Sequence, residues 1–266
     1  NAPVWIALAE RAIKTLAETD LQKVVLARSV SLTSQRPVDA AHLVRTLACQ
    51  HAHCTIFAAD VDDGCWVGAS PEVLLNRHEL DLFCEAVAGT VRRDPYQTVD
   101  QELGDWLLRD AKNRHEHELV VDSLRAVLEP LSTNLTVPLQ PSLLRLHTLQ
   151  HLYTPRRATL KENTPVLEIA QALHPSPAIC GSPRLQAQTW LQEHEPMDRA
   201  WFTGLSGWVD TAGGAALNVV LRCAHLRRDR VDLYAGAGLV ADSVSAAEWD
   251  ETEIKLDSMI QALKAA

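Results

Sequence analysis

Glu248, Glu251 and Lys255 fall at i, i+3 and i+7 in the segment Ser245 to Lys255, a spacing that places all three on one face of a helix. They follow Ala235-Gly236-Ala237-Gly238, which reads as a glycine turn. A helix N-terminus offers unpaired N–H groups and a favourable dipole to anions, so a dianionic substrate and a divalent cation could meet on this face. Ordinary structure uses the same spacing: Ser245 and Glu248 are placed as a capping box, and Glu251 with Lys255 as an i,i+4 ion pair.

A second group of charges lies in Lys112-Asn113-Arg114-His115-Glu116-His117-Glu118. Glu116 heads an otherwise apolar helix face, and a carboxylate that points inward needs a partner or a metal. One or two carboxylates with waters and substrate oxygens suit Mg²⁺. The histidines beside Glu116 lack H-E-x-x-H spacing, which disfavours a zinc protease, and they read as a solvated helix start. His51-Ala52-His53-Cys54 has no second pair at zinc-like spacing. Glu72 closes the turn Gly68-Ala69-Ser70-Pro71-Glu72 and is a candidate general acid if desolvated, since burial raises a carboxyl pKa. Lys23 opens a strand on the side of Val25 and Ala27. It is either a desolvated base or an edge lysine that guards against aggregation. Gly236-Ala237-Gly238 is a weak dinucleotide signal, because only one helix follows it.

Several elements must position these groups. Trp5, Leu8, Ala9, Ala12, Ile13 and Leu16 recur at helical spacing, and that helix ends before Asp20. Strands are expected at 23–30, 55–59, 65–68 and 80–87. A long helix is expected across 101–131, stopped by Pro130, with short helices at 165–173 and 185–193. Residues 135–149 read as neither helix nor strand. Strands at 202–210, 217–226 and 230–234 read as a meander, followed by a last helix over about 245–264. Strand groups at both ends with helices between them predict an α+β chain dominated by antiparallel sheet, packed as a single domain over residues 1–266.

Composition narrows the function. The 266 residues carry 25 Lys+Arg against 34 Asp+Glu, a formal charge of −9, which argues against nucleic acid or an anionic membrane as partner. No apolar run approaches the roughly 20 residues needed to span a bilayer, and no export signal opens the chain, so the expected location is cytoplasmic. Six cysteines without a C-x-x-C pair read as reduced, buried small residues.

Taken in order, Lys23-Val-Val-Leu-Ala-Arg28, Gly68-Ala-Ser-Pro-Glu72, Ala88-Gly-Thr90, Arg114-His-Glu116, Leu173-His-Pro-Ser-Pro-Ala178, Cys180-Gly-Ser-Pro-Arg184, Glu195-Pro-Met-Asp-Arg199, Leu221-Arg222, Ala235-Gly-Ala-Gly238 and Glu248-Trp-Asp-Glu251-Thr-Glu-Ile-Lys255 resemble the chorismate-utilising enzymes, and within them the isochorismate synthases. The resemblance spans about residues 20–264 and implies that family's fold of antiparallel sheets with flanking helices. It also implies a Mg²⁺-dependent isomerisation of chorismate to isochorismate, in which water adds at C2 and the C4 hydroxyl leaves. By carry-over, Lys23 is the general base and Glu72 the general acid. Glu116 and Glu251 hold Mg²⁺, with Glu248 as a water-mediated ligand. Arg222, Gly236 and Lys255 bind the enolpyruvyl carboxylate, and Gly89 and Thr90 line the ring.

Ala88 stands where aminodeoxychorismate synthases carry a lysine, and anthranilate synthases lack the counterpart of Lys23. Salicylate synthases keep both base and acid but differ at Leu173 to Ala178, so salicylate formation is the nearest alternative activity, with an inactive chorismate-binding module as the non-enzyme alternative. Departures from the family pattern include Ala200, Thr203 and Ala215-Ala216. The chain also begins only shortly before the Lys23 strand, without the N-terminal segment usual in the family. The expected assembly is a monomer; the pathway served, whether menaquinone, siderophore or salicylate, is set by neighbouring enzymes.

Overall fold

The computed structural model describes residues 1–34 and 36–266. Among these, two antiparallel sheets carry the architecture. The first has strand order β2-β3-β12-β13-β1-β9, built from β1 (Lys23–Thr33), β2 (Thr55–Val61), β3 (Gly64–Ser70), β9 (Gly181–Ser182), β12 (Cys223–Leu226) and β13 (Arg230–Leu239). The second runs β10-β11-β4-β5-β8-β6, with β7 also paired to β8. Its strands are β4 (Val73–His78), β5 (Asp81–Arg92), β6 (Ser132–Thr136), β7 (Ser142–Arg145), β8 (Leu149–Leu160), β10 (Leu205–Val209) and β11 (Ala215–Val219).

Helices cover the apolar faces of both sheets. α1 (Ala2–Glu18) buries Trp5, Ala9, Ala12 and Leu16 against Val24 and Leu26 of β1 and against Trp190 of α6 (Arg184–His194). α2 (Ala40–Gln50) and α7 (Ser245–Ala265) pack Leu43, Leu47, Leu256 and Met259 onto Val67 and Leu233. α4 (Ala111–Leu131) and α5 (Val166–Leu173) pack Val120, Leu124, Leu128 and Ile169 against Leu75, Leu82 and Leu160 of the second sheet. Each fully buried Leu or Val contributes about 1.5–3 kcal/mol, so these clusters are a main source of the fold's stability.

The α+β expectation holds, while several local expectations are corrected. The long helix over 101–131 is two helices, α3 (Gln97–Leu107) and α4, separated where the Asp110 side chain caps α4 by accepting from the Asn113 N–H. α2 was not foreseen, although Asp39 caps it and Leu43 and Leu47 recur at i,i+4. β4 and β6 to β8 also escaped the sequence reading. The expected meander is divided between the sheets: β10 and β11 belong to one, β12 and β13 to the other, and residues 220–222 cross between them.

The expected glycine turn 235–238 is instead the middle of β13, with Gly236 opposite Ala27 and Gly238 opposite Val25. These glycines answer close approach rather than a turn. A Cβ on Gly238 would collide with the Glu116 carboxylate and the Lys23 side chain. With both glycines inside the strand and not in the turn that leads into the helix, the dinucleotide reading also fails. The capping box is not formed, since Val244 occupies the N-cap without a side-chain bond. Of the cysteines, Cys84, Cys180 and Cys223 are buried, Cys54 and Cys65 half-buried, and Cys49 exposed, all as free thiols. Among the described residues no helix is long and apolar enough to cross a membrane.

Candidate active site

Strand alternation explains why a lysine can be built into a sheet interior. Val24 and Leu26 point into the apolar cluster under α1, so Lys23, Val25 and Ala27 point to the opposite face. β1 lies between β13 and β9, and Lys23 is fully buried, which removes the edge-lysine reading. Its Nζ lies 3.1 Å from Glu116 Oε1. The angles do not make that contact a hydrogen bond, so the buried ammonium donors remain unspent.

Above Lys23 is a small cavity of about 60 Å³ between the two sheets, lined by Val25, Glu72, Val87, Gly89, Thr90, Glu116, His151, Phe202, Arg222, Gly236, Glu251 and Lys255, among others. It is well below the 300–1,000 Å³ usual for ligand sites. Roomier grooves exist, including one of about 710 Å³ around Arg77, Phe83 and Trp208, yet the titratable groups expected to do chemistry gather here. Of the site residues expected from the sequence, Glu72, Glu116, Glu251, Gly89, Thr90, Arg222, Gly236 and Lys255 line the cavity. Lys23 lies beneath it against Glu116 and Gly238, and Glu248 lies to one side, bound to Lys112.

The carboxyls divide into two electrostatic classes. Glu72 follows the end of β3 and is buried. Burial, reinforced by the nearby Glu85 charge, raises its pKa to about 8 despite Lys23, Arg222 and Lys255. Glu116 is equally buried, but Lys23 and Lys112 outweigh the desolvation and hold its carboxyl well below the usual range. Glu248 is pushed up by burial and by Glu251 and Glu116, against the pull of Lys112. Lys112 Nζ bridges two of these carboxylates, 2.6 Å from Glu248 Oε1 and 3.3 Å from Glu116 Oε2. Lys255 pairs with Glu251 and donates to the Gly236 carbonyl at 2.8 Å. The expected i,i+4 ion pair therefore forms, but inside the cavity wall.

Among the described residues no cluster of three His, Cys, Asp or Glu side chains is arranged as a metal-ligand set. His51, His53, Cys54 and His147 surround a separate hollow with Arg93 and Arg145. The chemistry of the donors nevertheless fits a hard cation. Glu116, Glu248 and Glu251 interact strongly enough to raise the Glu248 pKa, and the bridging ammonium of Lys112 lies where positive charge is required.

Arg222 sits on the crossover between the sheets with φ 47, in the left-handed region. Arg222 is half-buried and lines the cavity, and its guanidinium reaches His151 Nε2 at 3.3 Å. His151 Nδ1 lies 3.1 Å from Thr90 Oγ1 and 3.2 Å from the Gly89 carbonyl. Burial and Arg222 hold the imidazole neutral, with its pKa well below the usual value. Arg222 thus donates to Nε2, and the Nδ1 proton points toward Gly89 and Thr90. Gly89 has φ 76 and marks an irregularity in the pairing of β5 with β8, which turns Thr90 toward the Asn113 side chain at 3.3 Å.

Lys112, His151 and Glu85 are site residues the sequence reading missed. A signal existed for Glu85, an acid inside the apolar run 82–89. His117 is corrected as well. It is buried and bonded to Thr154 Oγ1 at 2.7 Å rather than solvated, and burial with the nearby Arg156 lowers its pKa to about 4.

A profile of chorismate binding enzymes matches residues 1–264. The chain belongs to this family. It is 41% identical to the salicylate biosynthesis isochorismate synthase of Pseudomonas aeruginosa over 98% of this chain and 55% of that protein. It is 38% identical to the isochorismate synthase DhbC of Bacillus subtilis over 96% of this chain and 66% of that one. The crystal structure of DhbC from Bacillus anthracis superposes with a TM-score of 0.96 at 36% identity, covering 100% of this chain and 73% of that one. The chain thus spans between about half and two thirds of the length of these curated relatives, and family membership accounts for both the two-sheet fold and the motif order.

Proposed function

We propose that this chain isomerises chorismate to isochorismate. The observation that carries the reading is the pairing, around one cavity, of a buried carboxylic acid with a pKa of about 8 and a buried lysine with unspent donors. The names of its relatives, isochorismate synthases among them, support it. In this reading Lys23, having first passed its own proton to solvent, takes a proton as the free amine from the water that attacks C2, and Glu72 gives a proton to the hydroxyl leaving C4 as the ring double bonds shift. One water enters and one departs, and both groups return to their starting states by exchange with solvent. Arg222 and Lys255 face the enolpyruvyl carboxylate, with Gly236 supplying close approach, while Gly89 and Thr90 line the ring.

Glu116 and Glu251, with Glu248 behind them, are the residues that would hold Mg²⁺, which when bound would neutralise the ring carboxylate. For that, Glu116 and Glu248 must exchange Lys112 for the cation. In the present arrangement Lys112 bridges Glu248 and Glu116, and Lys255 pairs with Glu251.

The deciding experiment incubates the purified chain with chorismate, with and without Mg²⁺, and separates the products. Isochorismate formed only with Mg²⁺ and without pyruvate establishes the reading. Salicylate with pyruvate moves the chain to the lyase activity. No turnover by folded protein leaves chorismate binding alone, and wild-type turnover in the Lys23→Ala variant removes Lys23 from the mechanism.

A further inference from the structure

Glu85 is a buried acid with no part in the reaction described above. β5 alternates, so Glu85 shares a face with Val87, which lines the cavity beside Glu72. Its Oε1 accepts the N–H of Val73 at 2.8 Å, the residue directly after Glu72. The other end of the same peptide is also held, since the Glu72 carbonyl accepts the Val219 N–H at 3.1 Å. The Tyr153 phenol of β8 faces Glu85 from the same side of the sheet. An inward-pointing acid on a central strand is costly unless hydrogen bonds hold it, and here the bond to the Val73 N–H ties Glu85 to the strand start beside Glu72.

We propose that Glu85 is the positioning residue of Glu72: from behind the cavity wall it anchors the strand start that carries Glu72 and supplies the negative field in which Glu72 donates its proton. The charged groups facing Glu72 come from four elements: Lys23 on β1, Glu85 on β5, Arg222 on the crossover and Lys255 on α7. Three are cations that favour the carboxylate form. Glu85 is the anion that opposes them, alongside burial. Burial raises the Glu85 pKa above the ordinary carboxylate value, and the Val73 N–H and the Tyr153 phenol pull against that rise.

The inference rests on Glu72 being the general acid, and its test separates the two ideas. Infrared titration without substrate follows the carboxylic acid band that disappears in Glu72→Gln. In wild type this band should titrate near pH 8. In Glu85→Gln, which keeps an oxygen to accept the Val73 N–H, it should titrate about one pH unit or more lower. Tyr153→Phe should shift it in the same direction by less, which keeps the test alive if Glu85→Gln does not fold. In turnover, the alkaline limb of kcat/KM for Glu85→Gln should move down by the same amount, costing about tenfold above pH 8 with KM little changed. Glu85→Ala, which also frees the Val73 N–H, should lower kcat at every pH. An unmoved band in both Glu85→Gln and Tyr153→Phe overturns the proposal. A shifted band in a protein that does not convert chorismate upholds it and rejects the isomerase reading instead.

Discussion

Glu72 and Glu116 are both buried glutamates of the same small cavity, and their surroundings drive them to opposite states. Glu72 has an anion behind it and is raised to about 8, whereas Glu116 has Lys23 and Lys112 beside it and stays ionised. Residue type is shared, so the difference lies in what each carboxyl faces. A proton donor is made by burying the carboxyl and setting a like charge against the cations around it; a cation ligand is made by surrounding a carboxylate with ammonium groups that can later be exchanged.

The largest break in this comparison should come from removing the acid itself. Glu72→Gln is expected to lower kcat by roughly 10²–10⁴-fold, measured by product formation at saturating chorismate. The same variant should be more stable at neutral pH. Because the folded-state pKa of Glu72 lies above its ordinary value, the folded protein holds a proton the unfolded chain has released between about pH 4.5 and 8. Stability therefore falls as pH rises through that window, and the glutamine removes the slope. A thermal melt at pH 7.5 should show a higher Tm for Glu72→Gln, by about 2–4 °C for each kcal/mol recovered.

Arg222→Lys tests binding rather than proton transfer. Loss of a planar, forked donor should raise KM by about 10–100-fold while leaving the pH profile in place. A smaller effect is expected on the Glu116 side. Lys112→Met removes the ammonium that spans Glu116 and Glu248, so Mn²⁺ or Mg²⁺ titrated calorimetrically without chorismate should bind several-fold more tightly. Unchanged or weaker binding would show that Lys112 supports the carboxylates rather than competing for them.

The sequence made the helical ends and β1 legible because their apolar periods are regular, and the family motifs pointed to groups that the structure brings around one cavity. Lys112 was lost from view because only Glu248, far along the chain, distinguishes it from a solvated lysine. The split after β11 was equally hidden: 217–226 reads as one apolar run, and only the φ of Arg222 and the pairing partners show two strands in two sheets. Gly236 and Gly238 read as a turn for a similar reason. Glycine marks either a bend or a close approach, and only the Glu116 and Lys23 side chains across the strand say which.

β9 pairs only with Lys23 and Val24 of β1, so the next stretch of β1 would present unpaired backbone. Side chains finish the edge instead. Glu195 accepts the Ala27 N–H at 2.8 Å, Arg199 donates to the Val25 carbonyl at 2.7 Å, and the two residues are paired with each other. The strand that bears Lys23 is thereby closed to invasion by a foreign strand. Damage to Glu195 or Arg199 would be counted first in self-association and lost soluble yield, before any change in the chemistry of the cavity.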